Sequence, residues 1–87
     1  MKGSENMESK IALLGIIVEQ PEAVEKVNSV LHDFAGYIVG RMGIPYRDRN
    51  ISVISVVMDA PQKIISTAAG RLGMIEGINV KTVNAKV

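Results

Sequence analysis

Arginines gathered around one polar turn are the residues of this sequence best suited to bind a ligand. Arg41, Arg47 and Arg49 stand close together along the chain with Tyr46, and Asp48 offsets part of their charge. A guanidinium presents a planar fork of N–H donors that matches a carboxylate or phosphate in a bidentate way. The cluster therefore predicts an anion or carboxylate site, and a group of solvated charges that shields a hairpin is the alternative.

Three glycines near the C-terminus could bring backbone amides close to such a ligand. Gly70, Gly73 and Gly77 fall within or just after a predicted helix, and a residue without a side chain lets a ligand approach the backbone. Turns and helix ends account for glycines equally well. Inside a helix Gly70 costs ~1 kcal/mol relative to Ala, and close packing is the simpler explanation for it. We keep Gly70 and Gly73 as candidate ligand-binding residues.

The sequence contains few residues that could bind a metal ion and no arrangement of residues that is typical of catalysis. It contains one histidine and no cysteine, which excludes disulfides, thiolate metal sites, cysteine-bound iron–sulfur clusters and a cysteine nucleophile. We interpret His32 as a partly exposed structural residue of a helix, and a metal ligand shared across a dimer is the alternative. Paired carboxylates and an activated nucleophile do not occur at useful spacings, so we do not expect an enzyme. The cofactor, if any, stays unknown.

Composition and charge indicate one small soluble domain. The chain has 87 residues, of which 47% are apolar and 22% charged, with a net charge of +1. A charge so close to zero disfavours direct nucleic-acid binding. No apolar run approaches the ~20 residues of a membrane span, and the polar N-terminal segment lacks a signal-peptide core. We expect residues 1–9 to be a tail or an expression remnant, residues 10–87 to form the domain, and the protein to be cytoplasmic.

The stretch from Ile51 to Met58 predicts the strand around which the domain is built. β-branched residues dominate it, and apolar side chains occupy both alternating positions. A strand covered on only one face would alternate apolar and polar residues. The segment from Lys10 to Glu19 has the same two-sided character, so we expect a sheet that is buried on both faces.

Two amphipathic segments predict helices. The first begins near Pro21 and ends at a Gly36 cap, and the second is capped by Asp59 and ends at Gly73. Their apolar stripes comprise Val24, Val27, Leu31 and Phe34 in the first helix and Ile64, Ile65, Ala68, Ala69 and Leu72 in the second.

Two further strands complete the predicted fold. Residues 37–43 and 78–83 have strand character, and residues 44–50 are too polar and turn-rich to be strand throughout. The resulting order is the ferredoxin-like βαββαβ pattern, an α+β fold with a four-stranded antiparallel sheet and two helices on one face. No element remains for the other face, nor for a helix-turn-helix pair. Apolar residues on that face predict burial against a second copy of the chain.

Three functions of proteins with this fold require residues that this chain does not have. An RNA-recognition module needs aromatic residues on its central strands, and a metal carrier needs paired cysteines. An acyl-phosphate hydrolase needs a phosphate-cradling loop with an arginine, where this chain has Glu19-Gln20-Pro21. A ligand-sensing or assembly module of the ACT type remains.

Four blocks of the sequence are together similar to one known family. The blocks are Ile-Val-Glu at 17–19, Val-Asn-Ser-Val-Leu-His-Asp-Phe at 27–34, Gly-Arg-Met-Gly-Ile-Pro-Tyr-Arg at 40–47 and Gly-Arg-Leu-Gly-Met-Ile-Glu-Gly-Ile-Asn-Val-Lys-Thr at 70–82. They resemble the small ACT-like proteins called iron-only hydrogenase system regulators. The resemblance implies an ACT-like fold related to the C-terminal domain of the nickel-responsive repressor, and a regulatory role beside hydrogenase maturation.

Two sites that the resemblance implies do not fit this chain. The nickel site of the repressor uses several histidines and a cysteine, whereas this chain has only His32. Amino-acid-binding ACT domains usually have a glycine after the first strand, where this chain has Gln20-Pro21. Neither site is carried over.

The resemblance and the two-sided strands predict a regulatory, ligand-sensing module that works as a homo-oligomer, either a dimer or a tetramer. Its expected partners are an unidentified small-molecule effector and a regulatory protein, with no membrane partner, and an output through transcription stays open. The alternative is a non-catalytic assembly module that binds a protein partner without a small-molecule effector.

Overall fold

The computed structural model describes residues 8–85 and contains the predicted order of elements. The strands are β1 (Ser9–Val18), β2 (Ile38–Tyr46), β3 (Ile51–Pro61) and β4 (Ile78–Ala85), and the helices are α1 (Ala23–Asp33) and α2 (Gln62–Gly73). The strand pairs are antiparallel and the sheet order is β2-β3-β1-β4. The predicted ferredoxin-like α+β fold is confirmed. Most of the predicted tail, residues 1–7, lies outside the described residues.

Side chains of the two central strands point alternately to opposite faces of the sheet. Leu14 lies opposite Val56 in the register of β1 and β3, and such partners share a face. We call the helix-packed side the covered face, and its central members are Ala12, Leu14, Ile16, Val18, Ile54, Val56, Met58 and Ala60, none more than 5% exposed. The opposite side, which includes Leu13 and Val57, is the open face. Within the described residues the chain itself buries the covered face, and burial of the open face against a second copy stays a prediction.

Each helix closes the core with one apolar stripe. The buried members are Ala23, Val27, Val30 and Leu31 of α1 with Phe34 just beyond it, and Ile65, Ala68 and Leu72 of α2. Burying a large aliphatic side chain stabilises the fold by ~1.5–3 kcal/mol. Val24, Ile64 and Ala69 are only partly buried at the edges of the stripes. The predicted stripes are therefore confirmed in outline, with Ala23 and Val30 as buried residues that they omitted.

An ion pair links the C-terminal ends of the two helices. Arg71 Nη2 of α2 lies 2.8 Å from Asp33 Oδ2 of α1. The same guanidinium lies over the Phe34 ring, 5.5 Å from its centroid. Both ion-pair side chains are about half exposed, so the contact contributes ~1 kcal/mol or less.

Two predicted helix caps are wrong. Helix α1 ends at Asp33 with Phe34 in the cap position, and Gly36 falls in a short 3-10 turn at residues 35–37. Strand β3 continues past Asp59 to Pro61, which takes the cap position of α2 without a side-chain hydrogen bond. The physical reason is burial, because Ala60 is fully buried and continues the alternation of the covered face.

Strand β2 extends beyond its predicted end. Residues 44–46 pair with residues 51–53 of β3, and Pro45 is tolerated there because β2 is an edge strand. The turn is confined to a 3-10 segment at residues 47–49 and to Asn50, whose φ of 54° is left-handed. The predicted hairpin is confirmed, with a tighter turn than the sequence indicated.

Two glycines of the C-terminal half have different structural reasons. Gly77 has a φ of 90°, and a Cβ there would lie 2.7 Å from the Gln20 side chain. Its carbonyl accepts the Glu19 amide at 2.8 Å, so Gly77 fixes the turn against the end of β1. A Cβ on Gly70, in contrast, would meet no atom within 4 Å, so close packing does not explain that glycine.

Candidate functional site

The open face is an apolar surface formed by all four strands. Cross-strand pairs put apolar residues side by side in each half of it, as with Leu13 and Val83 or Ile44 and Val53. Between the two halves runs a row formed by Lys81, Gly15, Ser55 and Met42. Its large exposed members are Leu13 (40% exposed), Met42 (60%), Ile44 (51%), Tyr46 (48%) and Val83 (62%). Contiguous apolar patches of this kind mark interaction surfaces on soluble proteins.

Charged residues lie only at the margins of this face among the described residues. Lys81 belongs to the edge strand β4, opposite Gly15, and Asp59 lies near the end of β3, opposite Ile11. The interior of the face is formed by Ile17, Val53 and Val57 with Gly15 and Ser55 between them, and all five are partly buried. The arrangement of an apolar centre with charges at the rim is typical of a protein–protein interface.

A groove runs between α1 and β2 on the other side of the sheet. Ile38 at the start of β2 lies on the covered face opposite Met58, and further along Arg41, Gly43 and Pro45 lie there opposite Val56, Ile54 and Ser52 of β3. Beyond Ile38 none of these β2 residues carries a large aliphatic side chain, so this part of β2 does not fill the space beside α1. We call this space the α1–β2 groove. It is lined by residues 24, 28, 41, 43, 44, 45, 52 and 54 and extends toward His32.

A hydrogen bond crosses the middle of the α1–β2 groove. Arg41 Nη2 donates to Asn28 Oδ1 of α1 at 2.6 Å. On one side of this bond is a cavity of about 260 Å³ lined by Val24, Gly43, Pro45 and Ile54 among others. On the other side is a second cavity of about 260 Å³, which His32 also lines. Arg41 and Asn28 line both cavities and are thus positioned to contact a molecule in either.

A third cavity continues the groove toward the tip of the hairpin. Its volume is about 160 Å³, and it shares Val24, Pro45 and Ser52 with the first cavity. Arg47 lines its outer end. The three cavities together are lined by two guanidiniums and by no carboxylate side chain. The electrostatic character of this surface therefore favours an anion.

The structure separates the predicted arginine cluster. Arg41 lies in the middle of β2 and contacts α1, whereas Arg47 and Arg49 lie in the turn that follows β2. Tyr46 pairs with Ile51 and belongs to the open face, on the opposite side of the sheet from Arg41. Only Arg41 and Arg47 line the groove, and Arg49 lines none of its three cavities.

The predicted glycine candidates lie away from these arginines. Gly70 and Gly73 belong to α2, and a Cβ on Gly73 would approach Val80 of β4 at 3.9 Å. Strand β4 is at the opposite edge of the sheet from β2. The structure therefore does not bring Gly70 or Gly73 to the α1–β2 groove.

His32 is exposed on α1 and lines the second cavity of the groove. Within residues 8–85, no three side chains of the histidine, cysteine, aspartate or glutamate type come together as they would around a metal ion. His32 therefore lies beside a cavity, and the described part of the chain provides no set of co-ligands for a metal ion there.

The turn after β1 has its own hydrogen bonds. The amides of Glu19 and Gln20 both donate to the Gly77 carbonyl, at 2.8 and 3.3 Å. The Asn79 side chain donates to the Glu19 carboxylate at 2.9 Å. These amides are already satisfied, so the end of β1 does not present free donors to an effector.

Sequence reasoning missed Asn28, Gly43 and Ser52 as residues of the groove. Asn28 lies just outside the apolar stripe of α1. Its polar side chain, at a position that faces β2, is the one sequence signal for its place in the groove. The role of Gly43 depends on its pairing with Ile54, which fixes the face to which a side chain would point. The length of β2 was underestimated, so this register was not predicted.

Comparisons with known proteins find similar sequences and structures. The model of the TM1266-like family, described as iron-only hydrogenase system regulator, matches residues 10–82. The structure of the uncharacterized protein TM1266 from Thermotoga maritima is 36% identical with a TM-score of 0.86, and the match covers 91% of this chain and 100% of that one. No curated protein matches.

Two more distant structures share the fold alone. The C-terminal domain of the MgtC protein from Mycobacterium tuberculosis is 14% identical with a TM-score of 0.67, over 91% of this chain and 90% of that one. A formyltetrahydrofolate deformylase from Pseudomonas putida is 14% identical with a TM-score of 0.61, over 84% of this chain and 28% of that one.

No helix within residues 8–85 has the length and apolar character needed to cross a membrane.

Proposed function

The chain belongs to the TM1266-like family of iron-only hydrogenase system regulators, and we propose that it is a regulatory module that works as a homo-oligomer and senses a small molecule. Its role is to change the activity or expression of the iron-only hydrogenase system. It does so by binding rather than by catalysis. The family description supports the regulatory role, and the geometry of the sheet supports the oligomer.

The open face is the observation that carries this proposal. Four strands about 4.8 Å apart, paired over about eight residues at ~3.4 Å each, form a face of about 500 Å². Two copies that pack through it would bury roughly 1,000 Å² or more, which is the lower limit for a specific protein interface. Met42 and Val83, both more than half exposed, would then be shielded from water. A second copy fits because its own open face has the same apolar character.

The alternation of side chains along β2 connects sensing to assembly. Arg41 and Gly43 line the α1–β2 groove, while Met42 between them belongs to the open face. A ligand that holds β2 against α1 therefore also fixes part of the association surface. By linkage, such a ligand shifts the oligomer equilibrium in proportion to its difference in affinity for the two states.

A non-catalytic assembly module is the second candidate, and the hairpin favours it. Strand β2 is at the edge of the sheet, and Arg47 and Arg49 are exposed in the turn that follows it. An exposed edge strand can pair with a strand of another protein. In this alternative the chain binds a protein partner through the hairpin and needs no small molecule.

Sedimentation velocity combined with thermal-shift measurements tests the proposal. We expect a dimer or tetramer at micromolar concentration, and a rise in Tm with at least one member of a panel of amino acids, nucleotides and divalent metals. A ligand at a hundred times its Kd stabilises the folded state by ~2.7 kcal/mol, which raises Tm by roughly 15 °C for a domain of this size.

The outcomes separate the two candidates. A homo-oligomer with a ligand-dependent Tm supports the regulatory sensor. A homo-oligomer whose Tm no ligand changes favours the assembly module, and replacement of Arg47 and Arg49 by Ala should then abolish capture of the partner. A monomer at micromolar concentration contradicts the proposal.

A further inference from the structure

We infer that the α1–β2 groove binds a small monocarboxylate with an apolar body, and that Arg41 holds the carboxylate. This inference deepens the sensing role proposed above and rests on it for its biological meaning. The binding itself depends only on the groove. Neither the turn after β1 nor the glycines of α2 take part.

Among the described residues, the first cavity is lined by a single arginine, Arg41, in a largely apolar setting. Arg41 has five N–H donors, and within residues 8–85 its guanidinium makes one hydrogen bond, to Asn28. That bond anchors the guanidinium on α1 and leaves its other donors available to a ligand. A carboxylate accepts two parallel N–H donors from such a fork, so anchoring by Asn28 prepares Arg41 for a bidentate contact.

The walls beside Arg41 suit a hydrocarbon group. Val24 and Ile54 line the first cavity with Pro45, and the hydroxyl-bearing Ser52 lies at its far end. Each of the two cavities beside Arg41 has a volume of about 260 Å³. Pockets for drug-sized ligands are ~300–1,000 Å³, so these cavities admit a molecule of the size of an amino acid or a short branched acid.

The missing side chain of Gly43 keeps the groove open. Gly43 pairs with Ile54, so a side chain at position 43 would point into the groove. A Cβ at this position would meet no atom within 4 Å, and neither crowding nor an unusual backbone angle requires a glycine there. A larger residue would fill the space that a ligand needs.

The donors favour a carboxylate over a phosphate. One guanidinium, one amide and one hydroxyl line the first cavity, and the N-terminus of α1 begins at Ala23 beside Glu22 rather than at a glycine-rich loop. Phosphate sites usually combine several backbone amides with a helix N-terminus. A single guanidinium matches the single charge of a monocarboxylate.

Titration with matched acids and amides tests the inference. The probes are isovalerate, 4-methyl-2-oxopentanoate and phenylacetate, each at up to several millimolar, with isovaleramide and phenylacetamide as uncharged controls. Binding to the full chain is followed by ¹H–¹⁵N NMR. We expect at least one acid to shift the amide resonances of residues 41–44 and Asn28, and the amides to bind about tenfold more weakly or not at all.

Two variants of the groove and one control locate the site. Arg41→Met keeps the length of the side chain but removes its charge, and Gly43→Val fills the groove with a residue that strands favour. Each should raise the Kd of the acid about tenfold or more while circular dichroism and Tm show a folded protein. Arg49→Met removes a charge from the same hairpin outside the three cavities, and it should leave the Kd unchanged.

The inference is overturned if no acid binds at millimolar concentration, if amides bind as well as acids, or if Arg41→Met and Arg49→Met have the same Kd as the unmodified protein. Sedimentation of the same samples separates this failure from that of the proposed function. If the protein is an oligomer that binds no acid, the ligand assignment is wrong and the proposed oligomer stands. If the protein is a monomer that binds an acid through Arg41, the groove is a binding site and the proposed oligomer is wrong.

Discussion

Leu13 and Leu14 are neighbours in β1 with opposite surroundings. Leu14 is fully buried between the sheet and the helices, whereas Leu13, on the open face, exposes 40% of its surface. The alternation of a strand puts the two side chains on different faces, and only the covered face is packed by the chain itself. The same amino acid therefore stabilises the fold at one position and is available for association at the next.

Replacing each leucine by alanine should separate these roles. Leu14→Ala should lower the free energy of unfolding by about 3 kcal/mol, because it removes a buried side chain and leaves a cavity. Leu13→Ala should change it by less than ~1 kcal/mol in dilute protein but should raise the dissociation constant of the oligomer. Urea denaturation at low protein concentration and sedimentation velocity measure the two effects. Equal losses of unfolding free energy would contradict this assignment of faces.

Gly77→Ala should be strongly destabilising. The backbone at this position has a φ of 90°, and the added methyl group would lie within 3 Å of three side-chain carbons of Gln20. A side chain in this left-handed region costs ~1–2 kcal/mol before any clash is counted. We expect a loss of about 2 kcal/mol by urea denaturation. Gln20→Ala combined with Gly77→Ala should recover only part of it, because the strain in the backbone remains.

Gly70→Ala should have the opposite sign. Gly70 lies in the interior of α2, where a Cβ would meet no atom within 4 Å and Ala is favoured over Gly by ~1 kcal/mol. We expect a gain of about 0.5–1 kcal/mol in the free energy of unfolding. A loss would show that the backbone of Gly70 serves a contact that this structure does not contain.

Arg71→Ala should destabilise the protein more than Asp33→Asn does. Arg71 makes both the ion pair to Asp33 and the contact with the Phe34 ring, so its removal loses two interactions, whereas Asp33→Asn weakens one. Half-exposed contacts of these kinds are worth ~0.5–1 kcal/mol each. We expect losses of about 1 and 0.5 kcal/mol. Lys63→Ala, which removes an exposed cation from the same helix, is the control and should have little effect.

The fold was predictable because its strands and helices have strong periodic patterns. Two-sided apolar runs identified β1 and β3, and the helix stripes were found with Ala23 and Val30 omitted. The errors occurred at the ends of helices and strands, where local sequence signals compete with burial of apolar side chains. Asp59 looked like a helix cap, but the fully buried Ala60 extends β3 beyond it. Gly36 looked like the C-cap of α1, but the helix already ends at Asp33, where the Phe34 side chain is buried in the core.

The candidate site was predictable only in part, because its residues meet through strand register. Arg41 was recognised as a guanidinium that could bind an anion, but sequence proximity grouped it with Tyr46, which lies on the other face. Asn28 is distant from Arg41 in sequence and meets it only because α1 packs beside β2. Spacing along the chain does not encode a contact of this kind.

Sedimentation of two matched methionine variants tests the self-association of the open face most directly. Met42 is 60% exposed on the open face, and Met74 is 86% exposed in the turn after α2. Met42→Asp would bury an unpaired charge in the proposed interface at a cost of roughly 3 kcal/mol, which raises the dissociation constant more than about 100-fold. We predict that Met42→Asp sediments as a monomer at micromolar concentration and that Met74→Asp remains an oligomer like the unmodified protein. If both variants sediment alike, the open face is not the surface through which copies of this chain associate.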